Sequence, residues 1–371
     1  MSGQRSDEIA VERGRTKGTV RQQIKSILEK TETNKQVELM ALLVSLHHLF
    51  ATRPQKDAKV TTHRRTETSV HQTIVKSTPL WGHIEYEIFG AQTGTPVAFF
   101  HSQMSSAIPT TEWLDAVTQQ NHLVYAPKQP GLGPTDTERQ KTDPVGFVRA
   151  FVSQMQTNDR SPAALIGQGM SGVAAIDYAA NFPEYKGPVV TIDTGIPFTR
   201  REQFEHMPPV SKRIFWTVWD CPELFYAPFA FASEALFASE EGERAFMHDQ
   251  FKDIPHDHAL IQDPHYYEIA KLNMRNFMST PKRSADELVY WMHDWTAVFE
   301  KLVSRCDVVF LQSEHHDFLR YHDIETYLRP FSRAVPKLLS DTAQLCLLER
   351  PEMIASAVRQ AIDCSGSVRL E

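Results

Sequence analysis

Cysteine is scarce in this chain. Cys221, Cys306, Cys346 and Cys364 stand far apart, without the paired spacing of a zinc ribbon, a redox C-x-x-C or a disulfide framework. They read as reduced thiols of a cytoplasmic protein. Long apolar runs are missing too: no stretch reaches the roughly 18 residues that mark a membrane-spanning helix. The polar, charged N-terminus lacks the apolar segment of a secretory signal. The His and Asp residues between His248 and His265 have no metal-ligand spacing, so neither a metal nor a cofactor is expected.

What remains is ordinary globular composition. The 371 residues are 41% hydrophobic and 23% charged, enough for about two domains. Charge is unevenly spread. Residues 1–78 hold 14 Lys+Arg against 8 Asp+Glu, and the remainder holds 25 against 38. A basic segment on an acidic body implies that the two parts meet different partners.

Residues 6–12 (SDEIAVE) predict a short helix with Ser6 as N-cap, and residues 13–18 (RGRTKG) a tight turn. Residues 19–31 predict a second helix with Val20, Ile24, Ile27 and Leu28 on one face and Arg21, Gln22 and Lys25 away from it. An apolar helix follows from about Lys35 to Phe50. Helix, tight turn and basic-faced helix make a helix-turn-helix pattern. On Glu8-Ile9-Ala10, Thr19-Val20 and Ile27-Leu28-x-Lys30, residues 1–50 resemble the LuxR-type helix-turn-helix. That resemblance implies a DNA partner, base contacts from Arg21, Gln22 and Lys25, and phosphate contacts from Lys17 and Thr19. It also implies dimerisation through the apolar helix. The family's first helix has no counterpart before Ser6, so the native start is expected upstream of Met1. Residues 51–68 are polar, basic and aperiodic, and read as a linker.

From residue 69 strands and helices alternate, which predicts an α/β domain with a mostly parallel sheet covered on both faces. Ala163–Gly172 (AALIGQGMSG) is its central stretch: a short strand, a sharp turn and a helix, the layout of a nucleophile elbow. "FFHS" (99–102), "APKQPGLGPTD" (126–136) and "LLERPEMI" (347–354) complete a resemblance to the α/β-hydrolase fold over residues 69–371, with a helical cap at about 196–300.

The family's chemistry needs a nucleophile, a base and an orienting acid. By position the nucleophile is Gly169, the base is Gln344, and the acid is His316 or, one residue on, Asp317. Neither glycine nor glutamine can do that work. Ser171 is the nearest hydroxyl, and a divergent esterase using it is the alternative. A cradle of backbone N–H groups near Ser102, Gln103 and Met170, open at Gly169 and bordered by Gln344, would still hold a polar ligand group. The cap is rich in aromatics from Phe198 to Phe299, which suits an apolar or amphipathic small molecule. The sequence therefore reads as a cytoplasmic, dimeric transcription regulator, sensing a small ligand through a catalytically inactive hydrolase-like domain.

Overall fold

The computed structural model describes residues 16, 18–19, 60–65 and 68–367, apart from 103–104, 138–142, 208, 223–224, 227–228, 231–238, 253 and 317. The chain divides into two compact units, Met1–Lys56 and Asp57–Glu371. Lys17, Arg21, Gln22 and Lys25 lie outside the described residues, as does nearly all of the expected helix-turn-helix. Thr16 and Thr19 are described, and the Thr19 N–H donates to the Thr16 hydroxyl at 3.2 Å.

The second unit is built on nine strands in the order β1-β2-β3-β5-β4-β6-β7-β8-β9. β1 (Val60–Arg65), β2 (Ser69–Thr78) and β3 (Gly82–Ala91) are antiparallel, and β3 pairs antiparallel with β5 (His122–Pro127). β4 (Thr95–Phe100), β6 (Ala164–Gln168), β7 (Val189–Ile192), β8 (Val308–Ser313) and β9 (Ala334–Leu339) complete a parallel run with β5. β1 falls inside the stretch expected to be a linker. The Val60-Thr61-Thr62 run is β-branched, and pairing with β2 overrides the polarity of its neighbours.

Successive strand residues enter opposite cores. Phe100, Leu165 and Val189 face one side, where α2 (Pro144–Gln156), α3 (Met170–Asn181) and α9 (Thr296–Val303) pack. Phe99, Ile166 and Val190 face the other, with α1 (Thr111–Gln119) and α12 (Pro351–Ser367). Both faces are buried, so the central strands read as continuous apolar runs.

Between β7 and β8 the cap carries α4 (Pro209–Asp220), α5 (Glu240–Phe251), α6 (Pro255–Leu260), α7 (Pro264–Ser279) and α8 (Pro281–Trp291). Four of these five open on proline, which supplies a fixed φ and lacks an N–H where none is needed. The cap ends sooner than the sequence suggests, because α9 lies along α3 as part of the core. Among the described residues no helix is long and apolar enough to cross a membrane.

Candidate functional site

The turn between β6 and α3 is strained in the manner of an elbow. Gly169 caps α3 at φ +53°, ψ −129°, a region that L side chains enter at a cost. Strand and helix approach closely around it. A Cβ on Gly167 would lie 2.5 Å from the Cα of Gly172, and one on Gly172 would collide with the Thr194 side chain. A Cβ on Gly169 would meet the Cβ of Ser102 at 3.1 Å, so the space a nucleophile needs is already tight.

Ser171 sits one turn further on, buried, and its hydroxyl is fully engaged. It donates to the His101 carbonyl at 2.8 Å and accepts from Gln129 Nε2 at 2.8 Å. Gln129 Nε2 also donates to the His101 carbonyl at 2.8 Å, and Arg283 of α8 donates to Gln129 Oε1 at 3.3 Å. The Ser171 proton thus points at a carbonyl oxygen, which cannot take it. The His101 ring is turned elsewhere: its Nδ1 lies 2.6 Å from the Ser102 carbonyl, and burial pushes its pKa down to about 4. It is a neutral imidazole at physiological pH.

The base position is occupied structurally. The backbone N–H groups of Gln344 and Leu345 donate to the two carboxylate oxygens of Asp257, at 3.0 and 3.1 Å. Asp257 belongs to cap helix α6 and is fully buried. Burial, with help from Glu349 and Asp193, pushes its carboxyl up to about 7 against the pull of those two N–H donors. Of the acid candidates, Asp317 lies outside the described residues. His316 is half-buried, and its Nδ1 accepts from the Phe318 N–H at 3.2 Å; burial lowers its pKa, while Asp193 opposes that. A buried carboxylate does stand at this end of the sheet. Asp193 follows β7 at φ +48° and accepts from the Ser313 N–H and hydroxyl at 2.8 Å each, and from the Cys346 thiol at 3.3 Å. It ties the ends of β7 and β8 to α11 (Cys346–Glu349).

Against known proteins, no family model and no curated protein matches the chain. Solved structures do. An esterase from Thermogutta terrifontis aligns over 79% of this chain and 99% of its own, at 17% identity and a TM-score of 0.52. Carboxylesterases of Nitrososphaera gargenis align over 79% and 99%, at 12% and 0.56. E-2-(acetamidomethylene)succinate hydrolase aligns over 78% and 99%, at 14% and 0.55. The second unit has the α/β-hydrolase fold. At these identities the likeness concerns the fold and leaves the chemistry to the site.

In this hydrolase fold two recesses flank the elbow. The larger is lined by Phe99, Ser105, Trp113, Gln168, Asn273 and Gln344 among others. It opens at the carboxyl ends of β4 and β6, where strand order reverses and open α/β sheets bind ligands. Three carboxamides, Gln168, Asn273 and Gln344, give it polarity without charge. Gln344 Nε2 and Asn273 Oδ1 are buried there with no hydrogen-bond partner among the described residues. Gln168 Oε1 accepts from the Ser105 hydroxyl at 2.6 Å. The smaller recess holds Met170, Ser171, Gln129, Arg283 and Tyr290. The structure therefore separates Gln344 from Met170, which the sequence put into one cradle. Ser102 and Gly169 stay together, and Gln103 is outside the described residues.

Most of the cap aromatics pack among themselves: Phe198, Phe204, Phe215, Trp219 and Trp291 lie edge-on or tilted against one another and line neither recess, while Tyr290 lines the smaller one. Phe99 and Trp113, from the sheet and α1, supply the aromatic wall instead. Sequence reasoning also missed Asn273, Asp257 and Gln129. Nothing local marks the first two. Gln129 sits in the quoted "APKQPGLG" run, and its neighbourhood was visible.

Proposed function

We propose that the hydrolase-fold domain is a non-catalytic binder of a small amphipathic molecule, and that it serves as the effector half of a DNA-binding regulator. The observation that carries the first part is Gly169 at the elbow. Its backbone has the geometry that presents a nucleophile, and it presents none. With Gln344 where the base belongs and Ser171 donating to a carbonyl, no side-chain base accepts from a hydroxyl at the turn among the described residues. The ligand's apolar part would rest against Phe99, Trp113 and Leu348, and its polar end against Gln168, Asn273 and Gln344.

The regulator half rests on the LuxR-like residues 1–50 and on the basic charge of that segment. Ligand would bias the arrangement of two recognition helices in a dimer, changing their affinity for paired half-sites. The rival reading is a divergent esterase using Ser171. It is favoured by structural neighbours that are hydrolases.

A fluorophosphonate probe and short p-nitrophenyl esters separate the two. No labelling and no turnover are expected. Labelling abolished by Ser171→Ala would establish the esterase. For the regulator half, binding to genomic-neighbourhood DNA fragments is expected to fall with salt and to vanish in Arg21→Ala/Lys25→Ala. Salt-insensitive binding, or binding unchanged in that variant, would sink it.

A further inference from the structure

Away from the elbow, the turn after β8 meets the turn after β9 in a cluster that the reading above does not use. Glu314, His315 and Asp341 are all exposed, and one ligand atom of each lies within 4.8 Å of the other two. Backbone bonds strap the two turns together: the Glu314 N–H donates to the Leu339 carbonyl at 3.1 Å, and the His315 N–H to the Thr342 carbonyl at 2.9 Å. The Asp341 N–H donates to Glu314 Oε2 at 3.0 Å. From the cap, the His256 ring lies flat on the His315 ring, with centroids 4.2 Å apart and planes 12° from parallel.

We propose that Glu314, His315 and Asp341 bind a divalent transition ion of the zinc class, with His256 as a positioning residue that holds the His315 ring. Ligands about 2.0–2.2 Å from a tetrahedral zinc stand about 3.3–3.6 Å apart, so the three side chains need to draw in by roughly 1 Å, within the reach of exposed rotamers. Two carboxylates neutralise the ion, and the imidazole selects zinc, nickel or copper over magnesium and calcium. Exposure leaves the remaining coordination positions to water. The strapped turns pay part of the ordering cost before the ion arrives. His256 neighbours Asp257, whose carboxylate holds the Gln344 loop, so the ion would fasten cap helix α6 over the base position.

The test is isothermal titration of the full chain, stripped with EDTA and dialysed, with zinc chloride. One saturable site is expected, not displaced by excess magnesium. His315→Ala and Asp341→Ala should each weaken it by more than about tenfold. His315 is exposed, so His315→Ala should keep the parent's melting temperature without metal. Asp341 stands at φ +54°, so Asp341→Ala is expected to lower it somewhat, and Asp341→Asn, which tolerates that backbone, should not. His256→Ala should weaken binding several-fold and His256→Phe should restore it, because a flat ring suffices for stacking. His248→Ala/His258→Ala, a second histidine pair on the cap, should bind as the parent does. No saturable binding, or equal affinity in the parent and His315→Ala, overturns the site. Loss in His256→Phe as deep as in His315→Ala overturns the positioning role.

Discussion

The elbow at Gly169 and the turn at Gln344 stand at the same end of the sheet, and they are held in place differently. The elbow keeps its backbone, with the strained φ at Gly169 and the bare contacts of Gly167 and Gly172. The Gln344 turn has no such packing of its own: Asp257 from the cap holds the N–H groups of Gln344 and Leu345. Close packing of strand on helix is a demand of the fold, so it persists whether or not chemistry is done there. A side chain projecting into a cleft carries no such packing demand.

The largest effect should come from breaking the elbow's packing. Gly172→Val drives its side chain into Thr194 and is expected to cost about 3 kcal/mol in urea unfolding. Parent-like stability would mean that the close approach is not required. Next is Asp257→Asn at the base turn. The folded carboxyl titrates at about 7 and the unfolded one near about 4. Between those values the folded chain holds a proton that the unfolded chain has released. Its contribution is thus full below about pH 4 and is lost as pH rises through about 7. The stability difference between parent and Asp257→Asn should drift against the parent across that window. A flat difference would refute the buried, raised carboxyl.

Smaller still is Gly169→Ser, which puts a Cβ 3.1 Å from Ser102 at positive φ and should cost about 1–2 kcal/mol. Because Gln344 cannot act as base, this variant should stay unlabelled by fluorophosphonate, and labelling would show a proton acceptor near the turn. Ser171→Ala is expected to be mildest, about 1 kcal/mol by thermal unfolding. Gln129 still donates to the His101 carbonyl in its absence.

Much of this was legible in the sequence, for reasons visible in particular residues. The elbow announced itself because Gly167 and Gly172 answer to local sterics only a few residues apart. Strand β6 and helix α3 came with it, since the period of apolar residues changes at Gly169. The recess did not. Asn273 comes to line one recess with Gln168 and Gln344 through the fold of the cap, and Asp193 binds Ser313 across a gap of 120 residues. Contacts of that kind leave no periodic trace. The aromatic cap is a different case: composition reports that a helical insertion is rich in rings, and only packing decides whether they face a ligand or one another.

The cap is fastened to the core at several points. Besides Asp257, Arg283 reaches Gln129, the Trp291 indole donates to the Thr194 carbonyl at 2.7 Å, and the Tyr290 hydroxyl donates to Asp177 at 2.8 Å. A lid held at several points does not swing like a door. If the larger recess takes a ligand as proposed above, its release would pass the exposed Ile108 at the rim or require a local opening that breaks several of these bonds together. Occupancy in such a binder would be governed by dwell time more than by encounter rate.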